Sequence, residues 1–356
     1  MNTHHPILAL LTNTASTGSK PLSFNGEIYR CPQLQTFTVR GPDATAFLQG
    51  QLTQDIAQQT SERAQFAGYC TAQGRVLSTM VLTRNDQSEP EYQCFTHVSV
   101  IQALIKRLRM FVMRSKVVIT EAVDLTESQT SDPLNAASLG IVGVRTTDVE
   151  ALEASLKHAL PKLDWQQQDH ATGRWVCAPS ATGQPSRWWW LASTQHEPAI
   201  AAIGGLHEAL EAHLTPWQQF DVQAGLPWVE QATQDLFIAQ TLNLDSIGAV
   251  SFTKGCYPGQ EVVARAHYRG TLKRRMYLGH TDQALKIELA SDVMSTASPN
   301  EPCGRIISCV MSENRTDMLF ESTIAAANEN GLYLSTLSDE QPRVNIVIDA
   351  LPYAYS

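Results

Sequence analysis

The feature that most constrains the fold is a change in patterning near residue 271. Beyond that point the chain breaks into short runs with the composition of β-strands, separated by turn residues. Six such runs predict a small antiparallel β-barrel at the C-terminal end. We therefore predict an α+β chain in two parts, residues 1–270 and residues 271–356. The six predicted strands are residues 274–280, 286–289, 305–311, 318–324, 331–337 and 344–348.

In the first part, strand-like and helix-like runs alternate. Residues 34–40 (LQTFTVR) alternate apolar and polar side chains, as a half-buried strand does. Gly41, Pro42 and Asp43 then predict the start of a helix. Residues 98–110 place apolar side chains at the spacing of an amphipathic helix. We expect a mixed or antiparallel sheet with helices packed on it, and its predicted strands are residues 34–40, 66–70, 76–83, 92–96 and 116–120.

Residues 122–138 are polar and predict a linker between two interleaved α+β units. In the second unit, Thr147 and Glu150 form a capping-box pattern ahead of a predicted helix that Pro161 ends. Thr215 and Pro216 predict the start of a short helix that runs through residue 222. The other predicted elements of this unit are strands at 141–144 and 188–191 and helices at 149–160 and 199–214.

Several classes of protein are disfavoured by composition. No apolar run approaches the roughly 18 residues that a membrane-spanning helix needs, so no membrane partner is expected. The apolar run at residues 7–11 lacks a basic flank and is too short for a signal peptide, which favours a cytoplasmic protein. The seven cysteines are odd in number, widely spaced and without a CxxC pair. A disulfide framework is therefore not expected, and no metal ligands are assigned.

The charge is unevenly distributed along the chain. The net charge of −9 disfavours sequence-independent binding to nucleic acid over the whole surface. Residues 104–116 and 262–275 nevertheless hold ten of the 26 basic residues and no acidic residue. Two interpretations stay open. The segments are either two solvated faces or two walls of one cleft for an anionic ligand.

Residues 251–261 (SFTKGCYPGQE) concentrate chemically active groups in a short space. Two glycines and a proline permit a tight turn in which backbone N–H groups approach a ligand. Lys254 lies two residues before Cys256, and a nearby ammonium favours the reactive thiolate form of a cysteine. Cys256 and Lys254 are therefore the candidate catalytic residues. The alternative is a buried cysteine beside a surface charge.

The run KGCYPGQEVVARAHYRG, residues 254–270, resembles the signature of the YgfZ family. That family binds folate, is related to the glycine-cleavage T-protein, and includes mitochondrial iron–sulfur assembly factors. Other stretches resemble the family in the same order along the chain. They are residues 41–55, 69–76, 221–227 and 241–252, so the resemblance covers most of residues 30–275.

The resemblance implies a T-protein-like multi-domain fold around a central channel that binds tetrahydrofolate or a derivative such as folinic acid. Gln223 stands where T-proteins have the Glu that recognises the pterin edge, and a glutamine still accepts and donates a hydrogen bond. Arg265 and Arg269 are expected to hold the anionic glutamyl tail of folate. Gln260 and Glu261 complete the predicted cofactor-binding residues.

Two departures from the T-protein pattern bear on the activity. In the alignment that the resemblance implies, T-proteins have a pair of Asp residues just after the turn that corresponds to Gly74. This chain has VLST there, at residues 76–79, without a carboxylate. T-proteins also resemble the cysteine segment but have Asp in place of Cys256. A hydroxyl group cannot accept a proton or stabilise a nearby positive charge as a carboxylate does. The chain is therefore predicted to be an accessory or maturation factor rather than a stand-alone aminomethyltransferase.

Three functions remain open from the sequence. The favoured one is a folate-binding accessory protein that supports the maturation or repair of iron–sulfur enzymes, including tRNA-thiolating enzymes. In that hypothesis Cys256 is the functional thiol, and the partners are folate and iron–sulfur client enzymes or assembly factors. The alternatives are a tetrahydrofolate-dependent aminomethyl or one-carbon transferase, and a module that binds tRNA directly.

Overall fold

The computed structural model describes residues 26–85, 88–121, 138–170, 173–193, 217–268, 270, 272–329, 331–335 and 343–355. Within these residues every strand pairing is antiparallel, and the strands form three sheets. The predicted linker up to residue 137, the predicted helix at 199–214 and the predicted helix start at 215–216 lie outside the described residues.

The first sheet confirms the strands and helices predicted for the first part of the chain. Its strand order is β3-β4-β5-β2-β6, and helix α1 (Ala44–Gln49) follows β2. Helix α2 (Val98–Val112) places Ile101, Leu104 and Leu108 in the core that it shares with this sheet. The strands are β2 (Leu34–Arg40), β3 (Gln65–Cys70), β4 (Val76–Arg84), β5 (Glu91–His97) and β6 (Val118–Glu121).

The second sheet, of order β1-β7-β10-β9-β8, contains a strand from the start of the chain. Strand β1 precedes the whole first sheet in sequence but pairs with β7, so the two sheets interleave along the chain. The strands are β1 (Gly26–Arg30), β7 (Ser138–Thr146), β8 (Gln167–His170), β9 (Gly173–Ala178) and β10 (Ser186–Ser193), and helices α3 (Val149–Leu156) and α4 (Trp217–Gln223) accompany them.

Three consecutive tryptophans of β10 build cores on both faces of the second sheet. Because side chains alternate along a strand, Trp189 points to one face and Trp190 to the other. Trp189 packs edge-on against Phe95 of the first sheet, with ring centroids 5.4 Å apart. Trp190 stacks on Trp175 of β9 at 5.1 Å. The face that carries Trp189 therefore joins the two sheets into one hydrophobic core.

The third sheet is the predicted C-terminal barrel, with seven described strands rather than six. Its order is β16-β15-β12-β13-β14-β11-β17. The two edge strands are separated in the chain only by Ile346, so the ends of the sheet meet and the barrel is nearly closed. The strands are β11 (Arg274–Thr281), β12 (Asp292–Ser295), β13 (Gly304–Met311), β14 (Thr316–Thr323), β15 (Leu332–Ser335), β16 (Arg343–Asn345) and β17 (Val347–Asp349), with helix α6 (Ile324–Glu329) after β14.

Two predicted elements of secondary structure are wrong. Residues 286–289 form no strand, because Ile287 and Leu289 pack against the barrel core without ladder pairing, and the strand begins at Asp292 instead. The capping box is wrong because Asp148, not Thr147, caps α3 and accepts the Ala151 N–H at 3.0 Å.

Helix α3 also ends four residues earlier than the Pro161 signal predicts. Lys157 adopts a left-handed conformation with φ 59°, which stops the helix at Leu156. The Glu153 carboxylate then accepts the N–H of Leu160 at 2.7 Å and holds the chain that leads to Pro161. A side-chain hydrogen bond, rather than the proline, therefore shapes this end.

The N-terminus of α2 contains a buried histidine beside a half-buried carboxyl group. His97 Nδ1 accepts the N–H of Ser99 at 3.3 Å, and His97 Nε2 lies 3.6 Å from Glu230 Oε2. Burial lowers the pKa of His97 to about 4 and raises the pKa of Glu230 to about 7. Between these values the imidazole is neutral and the carboxyl group is protonated, so the close approach is not an ion pair in that range.

We expect Glu230→Gln to stabilise the protein relative to wild type as pH rises. Because the pKa of Glu230 is higher in the folded state, this group stabilises the fold at pH values below its unfolded pKa near 4.5. That stabilisation is lost as the pH rises through the folded pKa of about 7. The gain should reach about 2–3 kcal/mol at pH 8. His97 contributes the opposite slope in both proteins, so it cancels in the difference. Urea unfolding of both proteins at pH 4.5 and pH 8 checks this, and a pH-independent difference would contradict it.

Candidate functional site

The cysteine segment, residues 251–261, packs against the loop that follows α1. Thr53 in that loop donates from Oγ1 to the carbonyl of Ala249 at 2.7 Å. Its backbone carbonyl accepts the N–H of Ser251 at 2.9 Å. The same Oγ1 accepts the N–H of Gly68 in β3 at 2.8 Å. Residues 47–55 (FLQGQLTQD) and the cysteine segment are distant in sequence, but these hydrogen bonds join them to each other and to the first sheet.

Lys254 holds these two segments together from within. Its side chain is buried, and Nζ donates to the carbonyl oxygens of Gln49, Leu52 and Gln54 at 2.6, 2.5 and 2.9 Å. Burial lowers the pKa of Lys254 to about 8, and the carboxylate of Asp55 acts in the opposite direction. The three carbonyl acceptors also favour the ammonium form, so Lys254 is charged at neutral pH.

Two glycines bring the segment against the hairpin between β3 and β4. Gly259 has φ +84°, and a Cβ there would lie 2.5 Å from the carbonyl oxygen of Thr71 and 2.6 Å from Gly74 Cα. Gly74 has φ +73°, and a Cβ there would lie 2.8 Å from Val262 Cβ. Only glycine fits both conformations and both contacts. The hairpin and the KGCYPGQE motif are therefore one packed unit.

Cys256 is the exposed member of the seven cysteines, all of which lie in described residues. Five others are buried and Cys309 is half-buried. The neighbouring Tyr257 is buried, with Lys254 Nζ 4.9 Å from its ring centre. The alternative of a buried Cys256 is thus wrong. The thiol is presented to solvent on a backbone that Lys254, Tyr257 and Gly259 hold in place.

Lys254 uses its three N–H bonds on backbone carbonyls. No hydrogen bond joins it to Cys256 in the described part of the chain. Activation of the thiol by Lys254 therefore stays a prediction that depends on charge acting through space. The structure adds a positional role for Lys254 that the sequence did not indicate.

The remaining motif residues lie on helix α5 (Gln260–Tyr268), which the sequence analysis did not predict. Gln260 reaches back to the Lys254 carbonyl at 3.5 Å. Glu261 and Arg265 form an exposed ion pair at 2.6 Å, one helical turn apart. Arg269 lies outside the described residues. Among the described residues, Arg265 thus faces solvent and a carboxylate of its own helix.

Other arginines after residue 262 are also paired within the chain. Arg274 lies 3.1 Å from Glu321, and the buried Arg275 lies 2.7 Å from Asp245. Arg274 stabilises the barrel itself, since Glu321 lies on β14, and Arg275 joins the barrel to the preceding chain. They do not leave free charges on the wall of a cleft.

Gln223 lies at the end of α4, in a small pocket beside β7 and β10. The pocket is lined by Arg145, Arg187, Gln184, Ser180, Ala181, Pro185 and Phe220 in addition to Gln223. Gln223 Nε2 donates to Asp317 Oδ2 of the barrel at 3.3 Å, and no group of the described residues donates to its side-chain carbonyl oxygen, which can therefore accept. None of the described residues that line this pocket belongs to the cysteine segment. Gln223 and Cys256 are therefore separate parts of the candidate site.

Arg187 is a functional candidate that sequence reasoning missed. It is 1% exposed, and Nη1 lies 2.6 Å from Asp221 Oδ1. Its Nε donates to the Pro179 carbonyl at 2.7 Å, but Nη2 has no hydrogen-bond partner among the described residues. A buried guanidinium with a free donor, beside Gln223, suits a flat polar ligand with acceptor atoms. The only signal in the sequence was its place ahead of the tryptophan run.

Residues 76–79 are used for structure. Ser78 Oγ lies 2.8 Å from Thr96 Oγ1. Thr79 Oγ1 donates to the Pro227 carbonyl at 2.8 Å and accepts the N–H of Val229 at 3.0 Å. Both hydroxyl groups are buried and satisfied. This strand therefore fastens the chain after α4 and offers no acid–base group.

Comparison with known proteins gives the family and the fold. The tRNA-modifying protein YgfZ of Edwardsiella ictaluri (strain 93-146) is 32% identical over 259 residues, which are 70% of this chain and 72% of that protein. The chain belongs to the YgfZ family. No protein-family model matches the chain.

The fold of this YgfZ-family chain is that of the T-protein. The crystal structure of glycine cleavage system aminomethyltransferase T from Bartonella henselae is similar with a TM-score of 0.62. The similarity covers 97% of this chain and 89% of that chain, at 13% sequence identity. No helix in the described residues is long and apolar enough to cross a membrane. The predicted T-protein-like α+β fold with a C-terminal barrel is thus confirmed.

Proposed function

We propose that this YgfZ-family protein is a folate-binding accessory protein that acts through Cys256 in the maturation or repair of iron–sulfur enzymes, including tRNA-thiolating enzymes. The observation that carries the proposal is the exposed thiol of Cys256 on a loop held by the buried Lys254. The relative's description as a tRNA-modifying protein supports it.

A single thiol suits transient chemistry with a partner. Stable iron–sulfur clusters are held by several protein ligands, most often cysteines. The described residues contain no group of three or more His, Cys, Asp or Glu side chains placed to hold a metal ion. Cys256 would therefore meet a sulfur species or a cluster intermediate that a client or an assembly factor brings to it.

We place the pterin of tetrahydrofolate, or of a derivative such as folinic acid, at Gln223. The pocket there has a volume of about 10 Å³, so it has to widen to admit the ring. A pterin ring is flat and carries both hydrogen-bond donors and acceptors. The free carbonyl of Gln223 accepts from it, and the unpartnered Nη2 of Arg187 donates to it. Phe220 offers an aromatic wall. Arg265 and Arg269 remain the proposed contacts of the glutamyl tail, and Arg265 would exchange Glu261 for a folate carboxylate.

Calorimetric titration with folinic acid tests the binding part of the proposal. We expect Gln223→Ala to weaken binding at least about tenfold, because the pterin loses a hydrogen bond inside a pocket. Gln219→Ala is the matched control. Gln219 also donates to Asp317 Oδ2, at 2.9 Å, but it does not line the pocket. Arg265→Ala measures the contribution of the tail.

Bulk tRNA is titrated separately at physiological salt. Binding of tRNA with a steep salt dependence, and no binding of folinic acid, would overturn the proposal in favour of an RNA-binding module. Formation of methylene-tetrahydrofolate from an amine donor by the purified protein would overturn it in favour of a transferase.

A further inference from the structure

The C-terminal end of α2 and the turn after it expose apolar side chains together. Met110, Phe111, Met113 and Val118 are 67%, 45%, 86% and 52% exposed. They are four of the eleven large apolar side chains that are exposed in the described part of the chain, and they fall within nine positions. Single exposed apolar residues are ordinary on a protein surface, whereas a group of this kind marks a contact surface.

The same stretch carries cations without counter-charges. Lys106, Arg107, Arg109, Arg114 and Lys116 are exposed, and none forms an ion pair with a carboxylate of the described residues. Ion pairs elsewhere in the described residues use Arg145, Arg174, Arg265, Arg274, Arg305 and Arg315. Exposed cations that form no ion pair among the described residues also occur singly, for example at Arg63, Lys157, Lys273 and Lys286, whereas residues 106–116 group five of them. In a chain of net charge −9, this surface is locally basic among the described residues, where five cations outnumber the nearby Asp43 carboxylate, which accepts the Lys116 backbone N–H at 2.7 Å.

The backbone at Met113 gives a second and independent observation. Met113 has φ 41° and ψ −101°, and the Ser115 N–H donates to the Val112 carbonyl at 2.7 Å. This is close to a type II′ turn with Met113 in the position that favours glycine. The chain nevertheless places a large side chain there and exposes most of it. Strain of this kind, without burial in return, is typical of a residue kept for binding.

An open groove continues the surface. It has a volume of about 530 Å³, and its lining includes Lys116 and Val118, which follow α2, together with Arg40. Glu89 is the acidic residue among its described lining residues. The basic and apolar character therefore extends beyond the helix into a concave surface.

We propose that the α2 end, residues 106–118, is a docking surface for an acidic segment of a partner protein that carries apolar side chains. Charge complementarity selects an acidic partner. Two methionines beside one phenylalanine favour peptide side chains over RNA bases, because base-binding surfaces use aromatic rings on successive bases. The apolar face of α2 is buried on its own sheet, so the helix does not offer the continuous face of an interfacial membrane helix. The proposal requires neither folate nor Cys256.

The test uses a fluorescent 16-residue peptide that alternates Asp and Glu with Leu and Phe. Its control peptide has Ser in place of Leu and Phe and the same charge. We expect anisotropy at 150 mM salt to show binding of the first peptide and at least tenfold weaker binding of the second. Combined Met110→Ser, Phe111→Ser and Met113→Ser should weaken the first peptide at least tenfold. Met311→Ser, which changes an exposed methionine of the barrel (54% exposed), should leave binding unchanged.

Met113→Gly separates binding from folding. Glycine relieves the turn, so the melting temperature should rise by a few degrees while binding of the peptide weakens. A change in both quantities in the same direction would contradict the role of Met113.

Equal binding of the two peptides, or no binding of either, would overturn the proposal. Binding of bulk tRNA or of phosphatidylserine vesicles that depends on residues 106–118, without peptide binding, would assign the surface to RNA or to a membrane instead. Loss of folinic acid binding leaves these outcomes unaffected, so the two proposals fail separately.

Discussion

Asp221→Ala is expected to lower the free energy of unfolding by about 3–5 kcal/mol. The carboxylate of Asp221 is buried with Arg187, and their charged atoms lie 2.6 Å apart. Its second oxygen accepts the indole N–H of Trp228 at 2.9 Å. Removal of the carboxylate leaves a guanidinium that is 1% exposed without its buried counter-charge. Urea unfolding at pH 7 measures the loss.

Two comparisons show whether burial is the cause. Asp169 pairs with Arg174 at the same distance, 2.6 Å, but the Asp169 side chain is 52% exposed. Asp169→Ala should therefore cost at most about 1 kcal/mol. The double change Arg187→Met with Asp221→Leu should recover most of the stability, since apolar side chains replace both charges. A cost below about 1 kcal/mol for Asp221→Ala would contradict the role of the pair.

Lys254→Met is expected to cost about 2–4 kcal/mol. Methionine keeps the apolar stem but leaves the carbonyl oxygens of Gln49, Leu52 and Gln54 without their donor. The loop after α1 and the cysteine segment then lose the group that joins them. Hydrogen exchange of residues 47–56 and 249–259 should increase together with the loss in unfolding free energy.

Lys254→Arg should not restore the three hydrogen bonds between the cysteine segment and the loop after α1. The planar guanidinium cannot direct three N–H bonds at three carbonyls around one point, as an ammonium does. Lys162→Met is the matched control, because the Lys162 side chain is 68% exposed and lies 3.9 Å from Glu153. If Lys254→Met and Lys162→Met have the same stability, or if hydrogen exchange does not change at residues 249–259, then Lys254 does not join the two segments.

Periodicity predicted the first sheet well because its strands are half-buried and its helix is amphipathic. The alternation at residues 34–40 and the spacing at residues 98–110 reproduce β2 and α2. The pattern at 286–289 is the same signal, yet it belongs to an extended segment whose apolar side chains pack without a ladder. Alternation reports which side chains are buried, and it does not report which backbone groups pair.

The candidate site was predicted in part, for a similar reason. The motif located the exposed Cys256, because two glycines and a proline in one short run predict a turn. It gave no sign of the Arg187–Asp221 pair, since these residues are 34 positions apart and no periodic pattern links them. Nor did it show that Lys254 binds carbonyls about 200 residues away in sequence, at 49–54. Contacts of that range depend on the tertiary fold.

The central claim is that Cys256 carries the chemistry of this protein. The direct measurement is the activity of a tRNA-thiolating iron–sulfur enzyme in cells that lack the native protein and express Cys256→Ala or Cys309→Ala at matched levels. Cys309 is the half-buried thiol of the barrel and serves as the control. We predict that Cys256→Ala reduces client activity to that of cells without the protein, although it still folds and binds folinic acid, and that Cys309→Ala retains activity. Full client activity with Cys256→Ala would contradict the account.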